Sequence, residues 1–203
     1  MNRIPWRGIL VGLCALTALC ALRLAPATCA PYTTIVFEAE NVRNLTGRAF
    51  HIAKFAENAN GKVSGNQVLE IAKLAPGEKV AKDEITYHVK VPKAGIYYFW
   101  ARTYWANGCG NSFWVKVEGY DTGENAWVLG GDGTYNSMHW VNLNDGSNNS
   151  KPRPLRLHSG QVTITLIAKE GGVKADQFLL TSDSGKTPAG VYKPTPDALV
   201  FSK

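Results

Sequence analysis

After Pro31 the chain is a succession of short β-prone runs, and no stretch keeps a helical period for three turns. β-branched and aromatic residues gather at 34–40, 67–72, 85–91, 96–104, 112–118, 126–129, 138–143, 155–158, 162–168 and 175–181. Clusters of Gly, Pro, Asn and Asp separate these runs, which is how strands are punctuated by turns. Period-two alternation is plain in Thr86-Tyr87-His88-Val89-Lys90-Val91 and in Val162-Thr163-Ile164-Thr165-Leu166. Residues two apart in such runs share one face of a sheet. Pro92-Lys93-Ala94-Gly95 makes a tight connection between two long runs. Without βαβ alternation, about ten short strands predict an all-β chain, a jelly-roll β-sandwich of about ten antiparallel strands. The sandwich is expected over residues 31–182, with a long polar surface loop at 142–154 and a loosely packed C-terminal tail at 183–203.

Residues 1–30 read as a secretory signal peptide. Arg3 and Arg7 form its charged start, an apolar run follows from Gly8 to Leu22, and Ala25-Pro26-Ala27 supplies the small residues of a cleavage site. A run of roughly 15 apolar residues falls short of the ~20 that cross a bilayer, and Arg23 interrupts any extension. The expectation is a secreted, periplasmic or cell-surface protein with no stable membrane insertion after cleavage. Leu16-Thr17-Ala18-Leu19-Cys20 loosely resembles a lipoprotein signal but carries the bulky Leu19 where a small residue belongs. Of the four cysteines only Cys109, with Cys29 depending on the cleavage point, stays in the mature chain, which makes no disulfide framework and no metal spacing.

Charge reads differently once the signal is set aside. The whole chain carries 22 basic and 16 acidic residues, +6, a balance that would suit nucleic acid. Removing Arg3, Arg7 and Arg23 leaves 19 against 16, or +3, and no nucleic-acid partner is expected. The six Trp and eight Tyr are the more telling excess, because flat rings serve flat polar ligands as well as cores. Trp100, Trp114, Trp127 and Trp140 fall inside strand runs and are expected to pack the interior.

Six segments in order resemble carbohydrate-binding module families 6 and 35 and the galactose-binding-like superfamily around them. They are Phe37-Glu38-Ala39-Glu40-Asn41; the hairpin from Val89 through Pro92, Gly95 and Tyr97 to Arg102; Asn111-Ser112-Phe113-Trp114-Val115; His139-Trp140-Val141; the run from Leu157 to Ile164; and the run from Lys169 to Thr181. The resemblance implies a β-sandwich that binds a polysaccharide or oligosaccharide, and a structural calcium. Glu38 and Glu40, two apart on a strand, place two carboxylates on one face, where burial would drive one to protonate unless a cation intervenes. Six to eight hard oxygen donors suit Ca²⁺. In the families resembled, the acidic pair and an aspartate of the last strand hold the ion, and the matching positions are Glu38, Glu40 and Asp176. A solvated acidic face is the alternative.

Ligand contacts in such modules fall on the loop matched by Tyr104-Trp105-Ala106-Asn107-Gly108-Cys109-Gly110-Asn111. A sugar offers an apolar C–H face to a ring and hydroxyls to amides that both donate and accept. Trp105, Asn107 and Asn111 suit that chemistry, and Tyr135 supplies a second ring. Alternatively Trp105 covers the end of the sandwich and Asn107-Gly108 only turns the chain. Two positions depart from the family pattern: Ser137 stands where an aromatic platform belongs, and Lys174 where an amide belongs. Lys174 would suit an acidic sugar. No carboxylate pair spans a glycosidic bond, no G-x-S-x-G elbow or H-E-x-x-H is present, and a non-catalytic role is expected, with any polysaccharide-degrading enzyme a separate protein. The competing reading is a structural or protein-interaction sandwich of the cell envelope without a sugar site.

Overall fold

The computed structural model describes residues 31–43, 45, 47–55, 61–73, 82–120, 127–144 and 151–201. The signal segment, 1–30, lies outside the described residues, as does much of the loop expected at 142–154. The described residues from Tyr32 onward belong to one compact unit. They hold eleven strands and no helix: β1 (Thr34–Glu38), β2 (Phe50–Lys54), β3 (Gln67–Ile71), β4 (Glu84–Val91), β5 (Gly95–Tyr104), β6 (Ser112–Val117), β7 (Trp127–Gly130), β8 (His139–Asn142), β9 (Leu155–Leu157), β10 (Gly160–Ile167) and β11 (Lys174–Thr181).

Two antiparallel sheets form. The larger has the order β2-β3-β11-β5-β8, with β1 also on β11 and β9 also on β5; the smaller runs β4-β10-β6-β7. The all-β jelly-roll sandwich expected from the sequence is the fold observed. The strand absent from the sequence reading is β2, Phe50-His51-Ile52-Ala53-Lys54, whose burial alternates weakly because it lies at a sheet edge.

Period-two burial makes the core. In β4 the buried Ile85, Tyr87, Val89 and Val91 alternate with Glu84, Thr86, His88 and Lys90. The centre is Phe178, whose ring lies 5.4 Å from Phe37, 5.4 Å from Tyr87 and 5.5 Å from Phe99. Both sheets therefore contribute to one core. Trp100 and Trp140 do not enter it: they meet Val36 and Leu179 in a separate cluster on the opposite face of the larger sheet.

The C-terminal tail corrects the expectation of loose packing. Trp140 Nε1 donates to Gly190 O at 2.9 Å, and the Gln177 amide and the Tyr192 backbone exchange two bonds of 2.7 and 2.9 Å. Thr195 then pairs with Val36 along the open side of β1. Farther on, Lys90 N donates to Ala198 O and Val200 N to His88 O, each at 2.8 Å, along the open side of β4. Strand edges carry unpaired donors and acceptors, and the tail satisfies them on both sheets. Its Pro and Gly content removed the alternation that would have announced this in the sequence.

Candidate functional site

The carboxylates come together at the end of the sandwich where β1 leaves and β11 enters. Ala39, wholly buried, separates Glu38 from Glu40, and its N–H donates to Asp176 O at 2.9 Å. A register shift in β11 between Ala175 and Gln177 marks a bulge, which leaves Asp176 and Gln177 both buried. Arg102 NH1 donates to Asp176 Oδ2 at 2.5 Å, and Ser64 N to Asp176 Oδ1 at 2.8 Å. Glu38 Oε1 accepts from Ser64 Oγ at 2.6 Å and Gln177 Nε2 at 3.2 Å. Glu38 Oε2 and Glu40 Oε2 are buried with no hydrogen-bond partner.

That arrangement is electrostatically unsatisfied. Burial, with Glu38 and Asp176 nearby, raises the Glu40 pKa from 4.5 to about 8 against a lowering backbone hydrogen bond. Burial also raises Asp176 to about 6, outweighing the opposing Arg102 and Ser64. Among the described residues no group of three or more His, Cys, Asp or Glu side chains forms a metal cage. Of the expected trio, Asp176 accepts one hydrogen bond on each oxygen, from Arg102 and Ser64, while Glu38 and Glu40 each keep a buried oxygen without a partner.

The candidate sugar residues lie at the same end, on loops. Gly110 and Gly130 let these loops touch: a Cβ on Gly110 would collide with Gly171 O, and one on Gly130 with Asn111 O. Trp105 is 0 % exposed, its ring 4.8 Å from the His139 imidazole at 85°, so the expectation that it offers a face to a ligand is corrected. It closes the core instead. Tyr135 has the opposite fate and is 42 % exposed, its hydroxyl beside Gly108 across the neighbouring loop. Asn107 is exposed and its Oδ1 accepts from Cys109 N at 2.9 Å, which leaves the amide N–H groups outward. Asn111 is half-buried, its Nδ2 3.4 Å from Asp132 O and its N–H donating to Glu170 Oε2 at 2.9 Å.

Lys174 stands apart from this group. Its Nζ donates to Glu70 Oε1 at 2.6 Å and lies 5.7 Å above the Tyr104 ring, so its charge is already matched. Sequence reasoning missed three groups that hold the loops. Glu170 accepts from Asn111 N and Ser112 Oγ while pairing with Lys169. Asp132 and His139 bridge the loop between β7 and β8. None carries a local signal: six residues lie between Asp132 and His139, and only the folded loop that carries the chain from one sheet to the other brings them together. Hollows of about 310 and 270 Å³ lie along the C-terminal tail rather than at this face.

No family model and no curated protein sequence matches the chain. Solved structures do match it. A family 35 carbohydrate-binding module from Clostridium thermocellum is 14% identical over 73% of this chain and 97% of that one, with a TM-score of 0.45. The C-terminal CBM6 of a Zobellia galactanivorans laminarinase is 15% identical over 74% of this chain and all of that one, with a TM-score of 0.43. The chain resembles CBM6 and CBM35 modules. A Podospora anserina GH26-CBM35 β-(1,4)-mannanase is 16% identical over 76% of this chain, at a TM-score of 0.49, and the match spans 29% of its length.

Proposed function

We propose that this chain is an exported, non-catalytic carbohydrate-binding protein whose ligand face is the loop surface carrying Tyr135, Asn107 and Asn111. The observation that carries the reading is the exposed Tyr135 ring lying across the Gly108 loop, with exposed Asn107 alongside. A ring of that exposure covers the C–H face of a pyranose, and amides pair with its hydroxyls. The buried Trp105 supports the face from behind. The paired Lys174 offers no free charge to a uronate, so a neutral polysaccharide is the better-supported ligand class.

A hard cation, calcium by the chemistry of its oxygen donors, would be held by Glu38 and Glu40. The orphaned buried oxygens of both residues, and the raised Glu40 pKa, support that assignment. Its role is to neutralise the pocket behind β1 and fix the end of the sandwich.

Affinity electrophoresis of the chain through gels containing β-mannan, laminarin, xylan, dextran or polygalacturonate, with calcium present, tests the proposal. Retardation in at least one gel, lost in Tyr135→Ala, is expected. Unretarded migration in every gel would overturn the reading and favour the envelope-interaction sandwich.

A further inference from the structure

His139 grips the Tyr135 loop at both of its stems. It begins β8, opposite Thr103 of β5, and its ring packs edge-on against Trp105. Its Nδ1 lies 2.8 Å from Ser137 O and its Nε2 3.1 Å from Asp132 Oδ1. A backbone carbonyl only accepts, and so does an ionised carboxylate. A neutral ring, with one N–H, can make either bond but not both, and only the imidazolium can donate to both acceptors at once.

The two bonds span the loop. Asp132 lies at its start and Ser137 at its end, so one ring ties both stems while Tyr135 stands between them. Asp132 Oδ1 also accepts from Thr134 N at 3.2 Å. Beyond the grip of His139 the loop is anchored by Gly131 N on Asn111 O, Asn136 N on Trp105 O and Tyr104 hydroxyl on Asn136 Oδ1. Those anchors are neutral and indifferent to pH in the range where histidines titrate. Asn136 sits at φ 57°, a left-handed conformation that needs its anchors to persist.

The charged groups around His139 are few among the described residues. Asp132 is the carboxylate in contact. Thr103 of β5 lies opposite it and Trp105, just past the end of β5, packs on its ring, both uncharged; the residue before β6 contributes the Asn111 amide, on Asp132 O. Glu170 and Lys169, on the turn into β11, are paired with one another, and Lys174 with Glu70.

We propose that His139 is a positioning residue: as an imidazolium it clamps the loop between β7 and β8 and holds the Tyr135 ring in its binding orientation, so carbohydrate binding is favoured by acid. The inference rests on the Tyr135 face being the binding surface. On deprotonation, one nitrogen turns a lone pair toward Ser137 O or Asp132 Oδ1, and the clamp opens at that stem.

Amide-exchange protection of Asn136 and the His139 ring Cε1–H resonance, followed by NMR from pH 5.5 to 8, read the clamp without any ligand. Protection at Asn136 is expected to fall about tenfold as the ring loses its proton, the loss of one charge-assisted hydrogen bond. His139→Gln should flatten that profile. Asp132→Asn, a change on an accessible loop, should flatten it as well, because an amide meets either form of the ring. β-Mannan and laminarin gels run at the two pH values should show weaker retardation at pH 8 in the wild type and no difference in the variants. A His139 titration that leaves Asn136 protection unchanged overturns the clamp, even if the gels retard the chain. A pH-dependent Asn136 with no retardation in any gel supports the clamp and sinks the carbohydrate reading instead.

Discussion

Glu38 and Trp105 both stand at one end of the sandwich, at the exits of β1 and β5, and both are withdrawn from solvent. The pocket around Glu38 is built largely from strand positions, with Glu38, Arg102, Asp176 and Gln177 on strands and Glu40 and Ser64 beside them, and leaves charge unsatisfied. The surface in front of Trp105 is built from loops and leaves a ring and amides exposed. A strand fixes side chains by alternation, so it can force like charges together against their repulsion, which either a bound cation or a bound proton relieves. A loop cannot compel burial, and it presents groups that water satisfies until a ligand displaces the water. The first arrangement is a demand on stability and the second an offer of recognition. Substitutions in the two regions should therefore fail in different assays.

The largest effect is expected at the ion pair. Arg102→Met would leave Asp176 buried without its guanidinium, and breaking such a pair from one side costs about 3–5 kcal/mol. Chemical denaturation should show that loss. A midpoint within error of the wild type would mean the Asp176 carboxyl is carried neutral or reached by water. Trp105→Ala is expected to cost a comparable 3–5 kcal/mol, because it opens a cavity in a closed core. If Trp105→Ala instead kept full stability and lost only binding, the ring would belong to the ligand face after all.

The pocket's pH dependence comes next, and its sign follows from the raised carboxyl values. Without metal the folded state holds Glu40 protonated up to about pH 8 and Asp176 up to about 6, while the unfolded chain releases both protons near 4. Across that window the folded state binds more protons, so stability falls as pH rises. In EDTA the melting temperature should drop between pH 5 and 8. Millimolar calcium should raise it, and more at pH 8 than at pH 5, because protons compete for the same oxygens. A melt indifferent to both EDTA and pH would place the two carboxylates in contact with water.

This contrast also sets what could be read in advance. The nearness of Glu38 and Glu40 was legible from their spacing of two, although β1 ends at Glu38 and Glu40 lies in the turn that follows rather than on the strand. Asp176 was legible as a position of the last strand, but its partner was not: the bulge that turns it toward Arg102 leaves no mark in the sequence. Trp105 and Tyr135 both follow or sit in Gly- and Asn-rich loops, and no local feature tells which ring turns inward. Their fates are set by His139 and by the Gly108 loop, contacts that exist only after folding. The tail was misjudged for a related reason, since edge pairing uses backbone groups and asks little of side chains.

A milder effect is expected at Tyr135. Tyr135→Ala removes a ring that touches little else, so the change in stability should stay within about 0.5 kcal/mol. Binding in the affinity gels should be lost. Retained retardation would move the ligand to another face and leave Tyr135 as an exposed ring without a role.

The smallest change in binding is expected at Lys174, and it decides the ligand's charge. Lys174 and Glu70 are each about one-seventh exposed, with His51 3.6 Å from Glu70 on the other side. Lys174→Met should therefore cost on the order of 1 kcal/mol, since both side chains keep some contact with water. If acidic sugars were recognised here, the ammonium would have to leave Glu70 to meet a uronate, exchanging one carboxylate for another with little gain. Migration of Lys174→Met through polygalacturonate gels should match that of the wild type. A selective loss of polygalacturonate retardation, with β-mannan and laminarin gels unchanged, would show that Glu70 holds the lysine in reserve for an acidic ligand.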